Sequence, residues 1–383
     1  MMWERRRLGD VVSVVRRINS EKAMPYVGME HISSGTGEFL GELTPTMVKS
    51  NTFIFEPGHL LYGRLRPYLN KVLLPDFSGH CSTEVFPMKP SSEVDSRFLF
   101  YWITSEPIVD RINATCTGAR MPRANVDEVL DFEIPLPPLP EQQRIVTKLD
   151  AAFAALSEAQ GHVERNRANA RELFESYLNG VFEGRDGQKK RKVKDLCHEV
   201  TVGHVGPMVQ HYKQSGIPFL RSQNIRPFRV TTDNPVFIDE KFNATLKKSE
   251  LHPGDLIIVR TGYPGTAAVL PDSMPRANCS DMVIMRTGPD LDPNFLAAFF
   301  NSRIGKQLVL GRLVGAAQKH FNITVAREVE LSVPPVGEQR KLVEAINEVR
   351  IETEKLETTY AQKLTELEGL KKAVLGAAFR GEL

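Results

Sequence analysis

The sequence predicts an α+β fold: two mixed α/β globular parts, each followed by a long helix, with the two helices paired as an antiparallel coiled coil in a pseudo-two-fold internal repeat. Three observations lead there. A proline-rich stretch occurs twice, a heptad-like apolar seam follows each occurrence, and short β-patterned segments precede each.

The repeat is explicit. Pro137-Pro138-Leu139-Pro140-Glu141-Gln142-Gln143-Arg144-Ile145-Val146 returns as Pro334-Pro335-Val336-Gly337-Glu338-Gln339-Arg340-Lys341-Leu342-Val343, a separation of 197 (338 − 141). The same separation carries Leu173 onto Leu370, Leu178 onto Leu375, Phe182 onto Phe379 and Gly184 onto Gly381, without a gap. Upstream the match is looser: Phe98-Leu99 answers Phe295-Leu296, and Pro57-Gly58-His59-Leu60 answers Pro253-Gly254-Asp255-Leu256 one position out of step. Small insertions of that kind belong to loops.

Taken in chain order, residues 1–136 form the first globular part, 137–184 the first helix, 185–333 the second globular part and 334–383 the second helix. In the globular parts, residues 51–55, 85–88, 255–260 and 282–286 carry strand signals, and 97–109 and 293–310 carry helical spacing of large apolar residues. Residues 184–194, with Lys189-Lys190-Arg191-Lys192, read as a solvated basic connector. At each helix start a Pro-Pro pair excludes an earlier beginning, Pro140 suits a first turn, and Glu141 complements the helix dipole. Steps of three and four give the first seam, with Ile145, Leu149, Leu156, Val163, Asn166 and Leu173 on it, and the second, with Leu342, Ile346, Val349, Leu356, Lys363 and Leu370. Asn166 and Lys363 are equivalent polar positions, the kind that fixes register. Helices of about 40 residues reach ~60 Å, too long to be buried in either globular part.

Composition narrows the function. The chain has 383 residues with a net charge of +2, and no apolar run approaches the ~20 residues of a membrane span. No signal-peptide core follows the basic start, so the expected location is cytoplasmic. The isolated Cys81, Cys116, Cys197 and Cys279 read as free thiols. Bases nonetheless gather in acid-free stretches at 62–74, 111–124 and 303–327, which gives a nearly neutral chain a phosphate-attracting face.

Catalytic constellations are not found. Asn234-Pro235-Val236-Phe237 lacks the second proline of an amino-methyltransferase loop, and no phosphate-binding G-x-x-x-x-G-K-[ST] occurs. Pro75-Asp76 and Pro271-Asp272 are followed by strands without the E-x-K pattern of a metal nuclease. Cys197, His198, His204 and His211 have irregular spacing for a metal centre, so the expectation is no metal.

The duplicated P-L-P-P-L-P-E-Q-Q-R-I-V junction, the variable parts between near-identical helices, the segment 60–71 and the terminal G-E-L resemble the specificity subunits of type I restriction-modification systems. The resemblance implies a non-catalytic chain in which two target recognition domains each read one half of an asymmetric bipartite site in double-stranded DNA. The paired helices would set the spacing and dock two methyltransferase subunits. S-adenosylmethionine would belong to those partners for DNA methylation, and ATP and Mg²⁺ to a restriction subunit. Candidate DNA-binding residues are Arg64, Arg66, Tyr68, Lys71, Arg120 and Arg123 in the first part and Arg221, Gln223, Asn224, Arg260, Tyr263, Gln318, Lys319 and His320 in the second, since Arg forks onto guanine and Asn or Gln onto adenine. The alternatives are a stand-alone DNA methyltransferase or nuclease on the same scaffold, or a protein-only coiled-coil adaptor.

Overall fold

The structure is a computed structural model, and it describes residues 3–19, 23–118, 120–183, 189–311, 321 and 323–383. By contact the chain divides into two compact units, Met1–Glu164 with Gln362–Leu383, and Arg165–Ala361. Each is α+β, and the two share a topology.

In the first unit, Val12–Val14, Val85–Pro90, Leu60–Gly63 and Val72–Leu73 hydrogen-bond in that order as one four-stranded sheet. Pro45–Thr46, Met24–Val27, Gly79–Ser82 and Thr52–Phe55 form another, with a single parallel pairing between Met24–Val27 and Gly79–Ser82. The second unit repeats both sheets. Cys197–Val202, Met282–Thr287, Leu256–Val259 and Ala267–Val269 make one, and Phe237–Ile238, Ile217–Leu220, Ala277–Cys279 and Glu250–Leu251 the other, again with one parallel pairing. The four strands expected from sequence all lie on these sheets.

Each long apolar segment expected as one helix is two. Ser96–Ile103 is followed by Glu106–Ala114, and Pro293–Asn301 by Arg303–Gly311. The cause is a serine at each break: Ser105 and Ser302 turn their hydroxyls back onto the carbonyls of Trp102 and Phe299, both at 2.6 Å. Such side-chain bonds compete with helix continuation, and Pro107 reinforces the first break. The basic connector also differs from expectation, because Lys190–Lys192 is a strand paired antiparallel with Glu330–Ser332.

The long helices run Leu139–Glu183 and Val336–Arg380, 45 residues each. Each begins beside a wholly buried glutamine. Gln142 donates from Nε2 to the carbonyls of Glu93 (2.8 Å) and Pro137 (2.9 Å), and its Oε1 accepts from the Asp95 N–H at 2.8 Å. Gln339 repeats the set, donating to Asp290 and Pro334 and accepting from Asp292 N–H, all at 2.8 Å. Asp95 and Asp292 in turn cap the helices Ser96–Ile103 and Pro293–Asn301. One amide side chain therefore joins two helix starts in each unit.

In the first unit Ile145 and Leu149 share a core with Phe98, Leu99 and Ala378, Phe98 meets Phe379 edge-on, and Arg144 donates to the Leu383 carbonyl at 2.8 Å. In the second, Leu178, Phe182 and Ile346 share a core with Phe295, Phe299 and Leu331, and Arg171 pairs with Glu357 at 2.8 Å. The expected seam is only half correct. Ile145, Leu149, Leu156 and Ile346 are buried, and Val163, Leu342 and Val349 are half-buried. Leu173 (57% exposed), Leu356 (40%) and Leu370 (49%) face outward, and Asn166 and Lys363 are exposed. Ala170, Phe174, Leu178 and Phe182 face inward at steps of four, because the first helix turns a 3.6-residue face toward the sheet-covering helices of its unit. On the second helix the stripe falls one residue later, on Arg350, Glu357 and Lys371. Their stems lie inward while Arg350 reaches over Phe228, Glu357 meets Arg171, and Lys371 lies over Phe153.

Replacing Gln142 by Leu leaves one N–H and two carbonyls without their partner and should cost about 3 kcal/mol. A thermal melt of the full chain reports this as a lower first transition; a loss under about 1 kcal/mol would show that the amide contributes little.

Candidate nucleic-acid interface

In the first unit the strand Leu60–Gly63 delivers Arg64, and the segment around Arg123 is laid against it. Arg66 N–H donates to the Pro122 carbonyl (2.7 Å), Ala124 N–H to the Arg64 carbonyl (2.9 Å), and Arg123 bridges both Leu65 and Thr117. Two distant acid-free stretches thereby meet at one strand end. Between them sits a carboxylate absent from both, Glu84, which heads the neighbouring strand. It accepts from Arg64 Nε at 3.0 Å and, in a two-point contact, from Arg123 Nε (3.0 Å) and Nη2 (2.9 Å). The Arg123 hydrogen bond first, then Arg64, holds the Glu84 carboxyl below the usual carboxylate range against an opposing effect of burial. The Arg64 guanidinium also lies 5.1 Å from the Phe86 ring centre, and Arg16 lies 5.6 Å from the same ring.

The other first-unit candidates diverge. Arg66 is exposed on a left-handed backbone (φ 51°), an uncommon conformation for a residue with a Cβ, and Arg120 is exposed beyond it. Tyr68 is exposed and lines a concavity of about 870 Å³ with Thr36, Asn70, Asn113 and Lys372. Lys71 is half-buried, and one donor of its ammonium is given to the Met29 carbonyl at 2.6 Å.

In the second unit Arg260 and Asp281 occupy the places of Arg64 and Glu84 and are again ion-paired, with Arg260 Nε also donating to the Phe321 carbonyl at 2.9 Å. That guanidinium is nearly enclosed. Asn224 is corrected to a structural role: it is buried, accepts from Arg221 N–H (3.0 Å) and donates to the Asp233 carbonyl (3.0 Å), leaving no amide edge for a base. Arg221 is turned onto the Asn234 carbonyl at 2.6 Å. Gln223 and Tyr263 (77% exposed) are presented, and with Arg226 and Lys306 they line a concavity of about 740 Å³. This concavity and that of the first unit each involve the segment bearing Tyr68 or Tyr263 and the second of the two consecutive short helices, Glu106–Ala114 or Arg303–Gly311. Gln318, Lys319 and His320 lie outside the described residues.

Sequence reading missed Glu84, Phe86, Arg226 and Lys306. The signal for Glu84 was present, since Arg64 and Arg260 are 196 apart and Glu84 and Asp281 are 197 apart. The basic strand 190–192 offers less free charge than its sequence implies: Arg191 pairs with Asp290, and Lys192 and Lys194 both pair with Glu328. His211 stacks on Phe242 with ring centres 3.8 Å apart, and Asn234 is a turn residue at φ 48°. Among the described residues no helix is long and apolar enough to cross a membrane.

Residues 2–162 match the family model of the type I restriction modification DNA specificity domain. The chain is 29% identical over 187 residues to the type I restriction enzyme EcoDI specificity subunit of Escherichia coli, a match spanning 48% of this chain and 42% of that relative. It is 23% identical to the EcoKI specificity subunit of Escherichia coli strain K12 over 77% of this chain and 67% of the relative. Two solved structures share the fold over all of this chain. One is a chain from a type I R-M system solved for its complex assembly and conformational transition (TM-score 0.85, 23% identity, 98% of that chain). The other is the HsdS subunit from Thermoanaerobacter tengcongensis (TM-score 0.66, 21% identity, 97% of that chain).

The Glu328 carboxyl is held down to about 2, by Lys192 first and Lys194 second. A depressed folded value means that its stabilisation is complete above the ordinary carboxylate pKa of about 4.3 and is lost as pH falls through the folded value. The melting-temperature difference between the parent and Glu328→Gln should therefore be present at pH 7 and narrow below about pH 4. A difference independent of pH contradicts the pairing.

Proposed function

We propose that this chain, which groups with the specificity subunits of type I restriction-modification systems, supplies the DNA sequence specificity of such a complex and carries no catalytic site of its own. Residues 2–162 match the family model of the type I restriction modification DNA specificity domain, and the second unit repeats the sheet topology of the first. The observation that carries the reading is the arginine–carboxylate pair at the same strand end in both units, Arg64 with Glu84 and Arg260 with Asp281. Each unit reads one half of an asymmetric bipartite site in double-stranded DNA. Two short half-sites multiply specificity, because each mismatched base pair costs ~1–3 kcal/mol.

The two long helices pair antiparallel as a coiled coil. In the first unit the early part of the first helix shares a core with the late part of the second. In the second unit the late part of the first shares a core with the early part of the second. On this reading the pair sets the distance between half-sites and docks two methyltransferase subunits. Those partners bind S-adenosylmethionine and modify the DNA, and restriction subunits using ATP and Mg²⁺ join the same assembly.

Exchanging residues 185–333 for the corresponding segment of a relative tests the division of labour. Methylome sequencing of cells expressing the hybrid with its methyltransferase should show one half of the methylated motif changed and the other intact. Changes in both halves would mean that the two units do not read separately.

A further inference from the structure

We propose that Glu84 is a positioning residue for base reading by the first unit, holding Arg64 as the guanine-reading side chain of its half-site; this rests on the DNA-recognition reading above. Arg64 spends Nε on Glu84, while its Nη1 and Nη2 make no hydrogen bond among the described residues. Those two nitrogens form the end-on fork that matches O6 and N7 of guanine. Arg123 is committed differently. It gives Nε and Nη2 to Glu84 and points Nη1 at the Met121 carbonyl, 3.4 Å away, so its fork is already occupied by a carboxylate.

The remaining contacts fix Arg64 further. Phe86 lies under its guanidinium, and the Arg64 N–H donates to the Glu84 carbonyl at 2.9 Å, so backbone and side chain of the same residue hold it. A free surface arginine would sample many rotamers and reach phosphates of any sequence. Holding it beforehand removes the ordering cost at binding and takes the guanidinium away from the backbone. A lone carboxylate facing DNA would repel it; here two arginines cover one carboxylate and the trio stays cationic.

The second unit supplies an internal comparison. Arg260 keeps the carboxylate partner, Asp281, but gives Nε to the Phe321 carbonyl and Nη1 to the carboxylate, which leaves only Nη2. Its fork is broken. The same scaffold position is therefore a reader in the first unit and a brace in the second, so the two half-sites are read by different side chains.

The test uses the full chain assembled with a co-expressed methyltransferase, selecting bound duplexes from a library with two randomised windows. In Glu84→Gln the preference at one base pair of one half-site should fall about ten-fold, with the other half-site unchanged and binding to unrelated DNA unchanged or stronger. Arg64→Ala should lose the same preference, and adding Glu84→Gln to it should remove nothing more. Arg64→Lys leaves the Glu84–Arg123 pair in place and keeps the charge; it should lose the same preference, which keeps the idea testable if Glu84→Gln does not fold. An unaltered profile in Glu84→Gln or in Arg64→Lys overturns the inference while leaving DNA recognition standing. So does an equal loss for every sequence in Glu84→Gln, the mark of a merely structural residue. A parent assembly that selects no sequence overturns the recognition reading and this inference together.

Discussion

Two buried amides hold this architecture together. Gln142 and Gln339 each satisfy three backbone groups, and the groups belong to different elements: the approach to a long helix, and the N-cap region of the helix that covers a sheet. A buried amide with all its partners is highly directional, since rotating either element strands a donor or an acceptor in an apolar site. The orientation of each sheet-covering helix against its long helix is thereby fixed twice by the same chemistry. The proline pair before each glutamine contributes one of those carbonyls, from Pro137 and Pro334, which explains why proline and glutamine recur together in the repeat.

Packing then builds outward from that joint. Phe98 and Phe295 stand three residues after the two capping aspartates and are among the largest fully buried side chains of their units. The long helices lend each unit an apolar face, Ile145 and Leu149 in one case and Leu178 and Phe182 in the other. In one sheet of each unit, an interior strand, Leu60–Gly63 or Leu256–Val259, leads into an arginine paired with a carboxylate. A duplicated frame with individual tips fits the proposed reading of two different half-sites by one folding solution.

Much of this was legible in the sequence. The repeat, the helix starts and the four strands follow from periodicity and punctuation, because proline pairs and alternation act locally. The seam beyond the first turns was not. Choosing Leu173 over Phe174 follows from holding a seven-residue repeat where the helix packs with its 3.6-residue period, and choosing Leu356 and Leu370 over Glu357 and Lys371 follows from treating charge as outward-facing, whereas long polar side chains lay their stems along the core and end on a partner. The candidate site was legible as residue types, not as roles. Asn224 has the chemistry of a DNA contact, yet its buried amide is taken up by the Arg221 N–H and the Asp233 carbonyl. Glu84 was invisible to a search for basic runs, since it matters by facing two of them.

If two joined copies read two half-sites at a separation set by the long helices, as proposed, the gap between the half-sites must follow helix length. Inserting four residues near Asn166 adds about one helical turn, ~6 Å, close to the rise of two base pairs at ~3.4 Å each. Methylome sequencing of cells carrying that variant with its methyltransferase measures the outcome. Both half-sequences should be unchanged and the unspecified gap longer by one or two base pairs. An active assembly that keeps its original gap would contradict it.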